Sequence, residues 1–310
     1  MMNEKPLASI LNREEARKQS TENFSDEISL LRDLANYGSN LFLRAYNTSR
    51  KDLSDVVVCG VLLKQVVAMI DAIEVLVSEG LVHAAFLPAR AAFEASIYLD
   101  WILFSDTDRK AKCYIVSNFR DERLWALRVI QGRPEEAAFN QLSKSLGLDI
   151  HAKHPTLASD AKKLLAEVNR ILAQPRFQPI DAEFDKKRGK GKIDPDWYKL
   201  VGANSIRQIA ETVDRLVEYE LFYSKGSKVT HSASYKDHIR FIKEGVHFIP
   251  IRYLEGIDML IRFVVCTAIH SFRNILGFYR PDELRAFTKK YKEDWQASFW
   301  GVKGAKITWT

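Results

Sequence analysis

Between Leu81 and Phe104 the chain reads LVHAAFLPARAAFEASIYLDWILF, apolar on nearly every side yet carrying a base, a cation and an acid. At about 100° of rotation per residue, His83, Arg90, Glu94 and Trp101 fall within one narrow stripe of a helix. A second set lies downstream. There Tyr219, Tyr223, Ser227 and His231 recur every four residues, a drifting stripe of hydroxyls ending in an imidazole if the helix runs through Gly226. Two polar stripes on core helices need partners. The economical arrangement has them facing each other, with Arg90 paired to Glu94 and His231 within reach. Such a set suits metal-independent phosphodiester cleavage, in which histidine moves the proton and arginine stabilises the charged phosphorane. On this reading Arg90, Glu94 and His231 are the catalytic candidates, and Tyr219, Tyr223, Ser227, Arg207 and His83 bind the ligand. The same residues equally describe a structural ion pair with hydrogen-bonded tyrosines that fixes helix register.

Other patterns point elsewhere. Arg240 and His247, separated by FIKEGV, form an alternative arginine–histidine catalytic pair. The run from Lys186 to Lys192 holds Lys186, Lys187, Arg188, Lys190 and Lys192 with no acid among them, five positive charges in a chain whose net charge is +6. The basic bias is therefore local, and such a loop can grip the phosphates of RNA or another nucleic acid through counterion release. His151 and His154 stand at a metal-compatible spacing near Asp149, but a structural zinc site needs four ligands and no cysteine lies nearby. No phosphate-binding glycine loop, nucleophile elbow or His-Glu-x-x-His motif is present, so no metal and no cofactor is expected.

The elements that must position these residues read as helices. Ser25 caps a helix to about Tyr46, after a short charged helix over residues 5–20. A long helix opens at Ser54, and Ser78-Glu79-Gly80 turns it into the Leu81–Phe104 helix, giving a buried αα-hairpin at the centre. Pro88, two residues before Arg90, predicts a kink. Further helices are expected from Asp106 or Thr107 to Ile130, over Pro134–Leu146 and over Thr156–Leu172. A structureless functional loop covers residues 174–196. A helix follows from the Ser205–Gln208 capping box through Tyr223 or beyond, then helices over Ile251–Tyr279 and Asp282–Phe299. Alternating strand runs and internal repeats are absent. The fold class is all-α, a single bundle-like domain of about 8 to 10 helices. Its core spans residues 25–280, flanked by an N-terminal extension (1–24) and a C-terminal helix and tail (281–310).

Composition sets the class: 46% hydrophobic and 28% charged residues in 310 describe a globular chain with a large core. Three scattered cysteines in apolar helical patterns read as reduced thiols, and residues 1–24 lack the features of a signal peptide, so a cytoplasmic protein is expected. Residues 56–77 and 81–104 resemble membrane spans by length. Their interior charges, each costing roughly 2.5 to 3.5 kcal/mol at a bilayer centre, make them core helices instead, and no membrane partner is expected. Apolar helices at the C-terminal end suggest a homodimer.

Two blocks carry a family resemblance. Gly80 to Leu103, with Arg90 and Glu94 in ARAAFEASIYLDWIL, resembles the arginine–glutamate helix of an uncharacterised family of bacterial helical proteins, a domain of unknown function. Trp197 to Ser232, with SIRQIAE, YELFYSKGS and VTHSAS, resembles that family's other signature block. Together they cover roughly residues 55–240 and imply a helical fold with the site where the two blocks meet. The Arg240–His247 spacing is similar to that of HEPN ribonucleases, helical proteins of bacterial defence and toxin systems, and that likeness implies RNA cleavage. Three readings stay open: a defence-associated ribonuclease, a regulatory or interaction module whose polar cluster is structural or binds a small ligand, and a nucleic-acid binder without catalysis.

Overall fold

The computed structural model describes residues 11–47, 55–189, 193–232, 235–243 and 245–305. In chain order its helices begin with α1 (Arg13–Asn47), α2 (Asp55–Ser78), α3 (Val82–Phe104) and α4 (Thr107–Val129). Then come α5 (Ala137–Ser145), α6 (Ile150–Lys153), α7 (Leu157–Leu172), α8 (Gln178–Lys187), α9 (Ile206–Thr212), α10 (Leu216–Glu218) and α11 (Ser224–Thr230). A hairpin of β1 (Ile239–Ile242) and β2 (Gly245–Phe248) precedes α12 (Ile257–Tyr279), α13 (Leu284–Lys290) and α14 (Gln296–Gly301). The all-α class holds. The chain divides into two compact units: unit 1, within Met1–Asp52, Cys59–Ser105 and Ile206–Thr310, and unit 2, within Leu53–Val58 and Asp106–Ser205.

In unit 1, α1 changes direction at Phe24 (φ −136°, ψ 30°), immediately before the Ser25-Asp26-Glu27 helix-start signal. Its first part is no free extension, because the Ser20 hydroxyl, fully buried, donates to the Val77 carbonyl (2.6 Å). Gly80 (φ +72°) makes the left-handed turn from α2 into α3, a conformation that glycine takes at no steric cost. Through Pro88 α3 continues as one helix. Ala85, Ala89, Ala92 and Ala95 on α3 are all buried and let neighbouring helices come close. The neighbour along most of its length is α12, which also lies on α1. The apolar residues of α12 are core, with Leu260, Val264, Ala268, Phe272 and Leu276 buried. The last helices belong to the same core. The Trp295 indole donates to Asp33 (2.6 Å), and Tyr37 sits among Phe272, Phe287 and Trp295.

By length and composition α2 and α12 could each cross a membrane, yet most of each apolar window is buried inside the protein. The hairpin escapes the sequence reading for a physical reason. Its strands are four residues long, and the alternating apolar residues of β1 and β2 point outward, not into a core.

Unit 2 packs Ala126 and Val129 of α4 and Ile130 just past its end on Ala161 of α7, with Phe139, Leu157, Leu164 and Leu165 around them. The segment expected as a structureless loop contains α8. Pro179 occupies its first turn, the one helical position where a missing N–H costs nothing. Arg120 of α4 is buried and meets Asp181 and Asp185 of the α8 segment and Asp194 beyond it (Nη2 to Asp185 2.8 Å, Nε to Asp194 2.7 Å).

Candidate functional site

The site in unit 1 is built where α11 crosses α3. The chain reaches it through a break not expected from the sequence: α9 stops at Thr212, Asp214 takes a left-handed conformation (φ 56°), and the Arg215 N–H closes the end on the Ala210 carbonyl (2.7 Å). One turn of π-helix, Tyr219–Tyr223, then joins α10 to α11 and stacks the Tyr219 ring on Tyr223 (centroids 4.8 Å apart). Gly226 follows on the face toward α3. A Cβ there would lie 2.7 Å from the Arg90 Cβ and 2.9 Å from the Phe86 carbonyl, so the close approach of the two helices requires glycine.

At this contact Arg90, Glu94 and Tyr223 come together. The buried Tyr223 hydroxyl accepts from Arg90 Nη2 (2.8 Å) and donates to Glu94 Oε2 (3.1 Å). Arg90 and Glu94 lie 3.7 Å apart, and the guanidinium rests 4.7 Å from the centre of the Tyr223 ring. The Tyr98 hydroxyl donates to the other Glu94 oxygen (3.3 Å). Burial, and after it the Glu94 charge, pushes the Tyr223 hydroxyl up to about 12. The arrangement is a closed clasp in which the tyrosine bridges acid and cation.

The imidazole meant to complete it is elsewhere. Tyr223 meets α3 at Arg90 and Glu94 and Gly226 meets it at Phe86 and Arg90, so α11 runs antiparallel to α3. His231 is eight residues past Tyr223, about 12 Å along the helix axis, where it is exposed at the C-cap of α11. Ser227 is half-buried between them, its carbonyl accepting the His231 N–H (3.0 Å). Arg207 stands on α9 and pairs with Glu220 (2.8 Å), which keeps it out of the clasp. His83 does not join Arg90 either, since it packs edge-on against His238 (4.7 Å), a neighbour the sequence does not announce. Burial, then the His238 charge, holds its pKa below the usual histidine value.

The alternative pair is also not a helical constellation. Arg240 and His247 are cross-strand partners on β1 and β2, and Arg240 is engaged by Glu255. Of the basic run, Lys187 pairs with Glu183 (3.3 Å) and Arg188 with Asp194 (2.7 Å), while Lys186 is exposed near the end of α8. Lys190 and Lys192 lie outside the described residues. Among the described residues no group of three or more His, Cys, Asp or Glu could hold a metal ion.

A second polar cluster was missed entirely. Arg215, 1% exposed, donates through Nη1 to Ser96 (2.6 Å) and Asp100 (2.9 Å), and through Nε to Glu218 (3.2 Å). Asn274 of α12 donates to the other Asp100 oxygen (2.6 Å), and the hydroxyls of Ser271 and Ser96 are 2.9 Å apart. The guanidinium also covers the Phe93 ring (4.8 Å). The signal available was Asp100, a charge at a core position of α3; its partner comes from the break after α9, which no periodicity marks.

Residues 55–245, more than half of the chain, match the model of a family described as a family of unknown function, DUF5677. Both signature blocks lie inside that stretch, and the clasp joins them. No curated protein and no solved structure matches the chain.

Proposed function

Because this chain belongs to DUF5677, a family of unknown function, we propose its role from its geometry: it is a non-catalytic helical interaction module that receives a protein partner on the outer face of the β1–β2 hairpin. One observation carries this reading. The register pairs Ile239 with Phe248 and Phe241 with Val246, so these four side chains share one face of the hairpin. Phe248 is 83% exposed and Phe241 71%, and Ile251 beyond them is exposed as well. The hairpin is nevertheless firmly held. The Tyr253 N–H bonds to the Gly80 carbonyl (2.9 Å), the Tyr253 hydroxyl donates to the Asp237 carbonyl (3.2 Å), and Arg252 pairs with Glu79 (3.2 Å). A fixed apolar face turned to water is what a partner covers, and each phenylalanine buried there would contribute roughly 1.5–3 kcal/mol. The clasp at α3 and α11 supplies the frame on this reading, the Tyr223 hydroxyl tying Arg90 to Glu94. The family match ends at residue 245, inside the hairpin, so β2 after Gly245, Phe248 included, lies beyond it and suits a partner particular to this chain.

A second reading, RNA cleavage or binding in a defence or toxin system, draws on a different observation. Arg90 Nε and His83 Nε2 are buried and have no hydrogen-bond partner among the described residues, and phosphate oxygens would satisfy N–H groups there. The two readings separate experimentally. A photo-crosslinking residue at Phe248 should give a discrete adduct in the native cell that Phe241→Glu removes, while total RNA stays intact on expression of wild type. RNA cleavage abolished by Arg90→Ala, His231→Ala or His247→Ala in a folded protein would overturn the module reading.

A further inference from the structure

We propose that α2 is the seam of a homodimer, pairing antiparallel with α2 of a second copy about a two-fold axis at Ala68. The inward side of α2 is fully used, with Cys59, Leu62, Leu63, Val66, Ile70, Ile73 and Val77 buried. Its outward side is not polar in the usual way. Val61, Ala68 and Val75 follow one another at intervals of seven residues along the middle of the exposed face, Val61 being 50% and Val75 53% exposed. Seven residues are close to two helical turns, so the three lie nearly in line over about 21 Å. Lys64 and Asp71, also seven apart and exposed, flank this line on one side, and Gln65 and Ala72 flank it on the other.

The order of these residues is symmetric about Ala68, and the symmetry names the occupant. In an antiparallel pair centred there, Val61 comes level with Val75 of the second copy, and Ala68 meets its own counterpart at the smallest side chain of the seam. Flanks on the same side face each other, so Lys64 of each copy stands opposite Asp71 of the other, twice per dimer. Gln65 likewise meets Ala72. A parallel pair would instead set Lys64 against Lys64 and Asp71 against Asp71, so the charges select both the partner and its direction. An isologous contact of this kind is the commonest way soluble chains close into dimers. Beside the seam, a groove of about 790 Å³ between α1 and α2 is lined by Ser29, Arg32, Asn36 and Ser39 from α1 and by Lys64, Ala68 and Asp71 from α2. The second copy's α2 would enter this groove, with α1 as its polar rim, and widen the contact beyond two helices. The surface is distinct from the hairpin face and does not depend on the role assigned to it.

The test is sedimentation velocity and light scattering of the full chain without detergent, over a concentration series. Wild type should be a dimer. Lys64→Glu alone and Asp71→Lys alone should each weaken it by about tenfold or more, because both symmetric pairs become repulsive. Lys64→Glu combined with Asp71→Lys should restore wild-type association, and Ala68→Arg, on the axis, should give a monomer. All these positions are exposed, so circular dichroism should be unchanged. A wild type that stays monomeric at about 100 µM, or that is monomeric and binds neutral lipid vesicles through α2, overturns the proposal. So does a dimer indifferent to the single reversals or not rescued by the double one.

Discussion

Replacing Gly226 by alanine puts the packing argument at risk in its sign. In a helix interior, alanine is favoured over glycine by about 0.8–1.0 kcal/mol, so propensity alone predicts a more stable protein. The geometry at α11 predicts the reverse. The new methyl would stand 2.7 Å from the Arg90 Cβ and 2.9 Å from the Phe86 carbonyl, both on the backbone side of α3 where no flexible side-chain end can swing away. Relief requires α11 to retreat by several tenths of an ångström or more. Overpacking of this kind costs roughly 1–3 kcal/mol. The same retreat stretches the two Tyr223 hydrogen bonds, 2.8 and 3.1 Å in the native clasp, and each hydrogen bond to a charged group contributes about 1.5–3 kcal/mol. Losing a fraction of that and recovering the propensity gain leaves a net destabilisation of about 2 kcal/mol. Gly277 of α12 is the internal control, since a Cβ there meets nothing within 4 Å and Gly277→Ala should stabilise by about 0.5–1 kcal/mol. Urea unfolding followed by far-ultraviolet circular dichroism reads both variants against wild type. A Gly226→Ala protein as stable as Gly277→Ala would refute the close approach of α11 to α3, and with it the clasp.

Two further predictions address the polar groups. With the Tyr223 hydroxyl at about 12 against an ordinary value of 10.0, the folded state keeps its proton while the unfolded chain loses it; its contribution is complete below pH 10 and lost between pH 10 and 12. Tyr223→Phe should flatten that alkaline decline in a series of unfolding curves, and an unchanged slope would count against the bridge. Arg215→Met leaves Asp100 buried without its cation and should cost about 3–5 kcal/mol, whereas adding Asp100→Leu should recover much of the loss. Thermal unfolding of the single and double variants decides this.

Arg90, Glu94 and Tyr223 were legible because a four-residue spacing keeps residues on one helical face, and rotation was all that their meeting required. His231 satisfied the same rotation but failed on advance: each further turn moves it about 5.4 Å along the axis, so a stripe can be continuous while its ends are far apart. Arg215 was invisible because its position depends on the left-handed turn at Asp214, a local event with no periodic trace. The hairpin was missed because its apolar residues face outward, so no buried strand face existed to be read. In unit 1 Trp295 reaches Asp33 across most of the chain length, a contact that no local pattern announces. Pro179, within the stretch expected as a loop, sits in the first turn of α8.

The pairing of α3 with α12 has a consequence in time. Between Phe104 and Ile257 the ribosome must add residues 106–205 of unit 2 and the whole α9–β2 region before α3 can meet its main neighbour. At synthesis rates of about 5–20 residues per second, that interval lasts roughly 8–30 s, far longer than a helix or a loop needs to form. During it the face of α3 that meets α12 lacks that partner, while residues 106–205 are complete and free to pack. The nascent chain thus finishes unit 2 before unit 1, and α3 waits for its main neighbour throughout that interval.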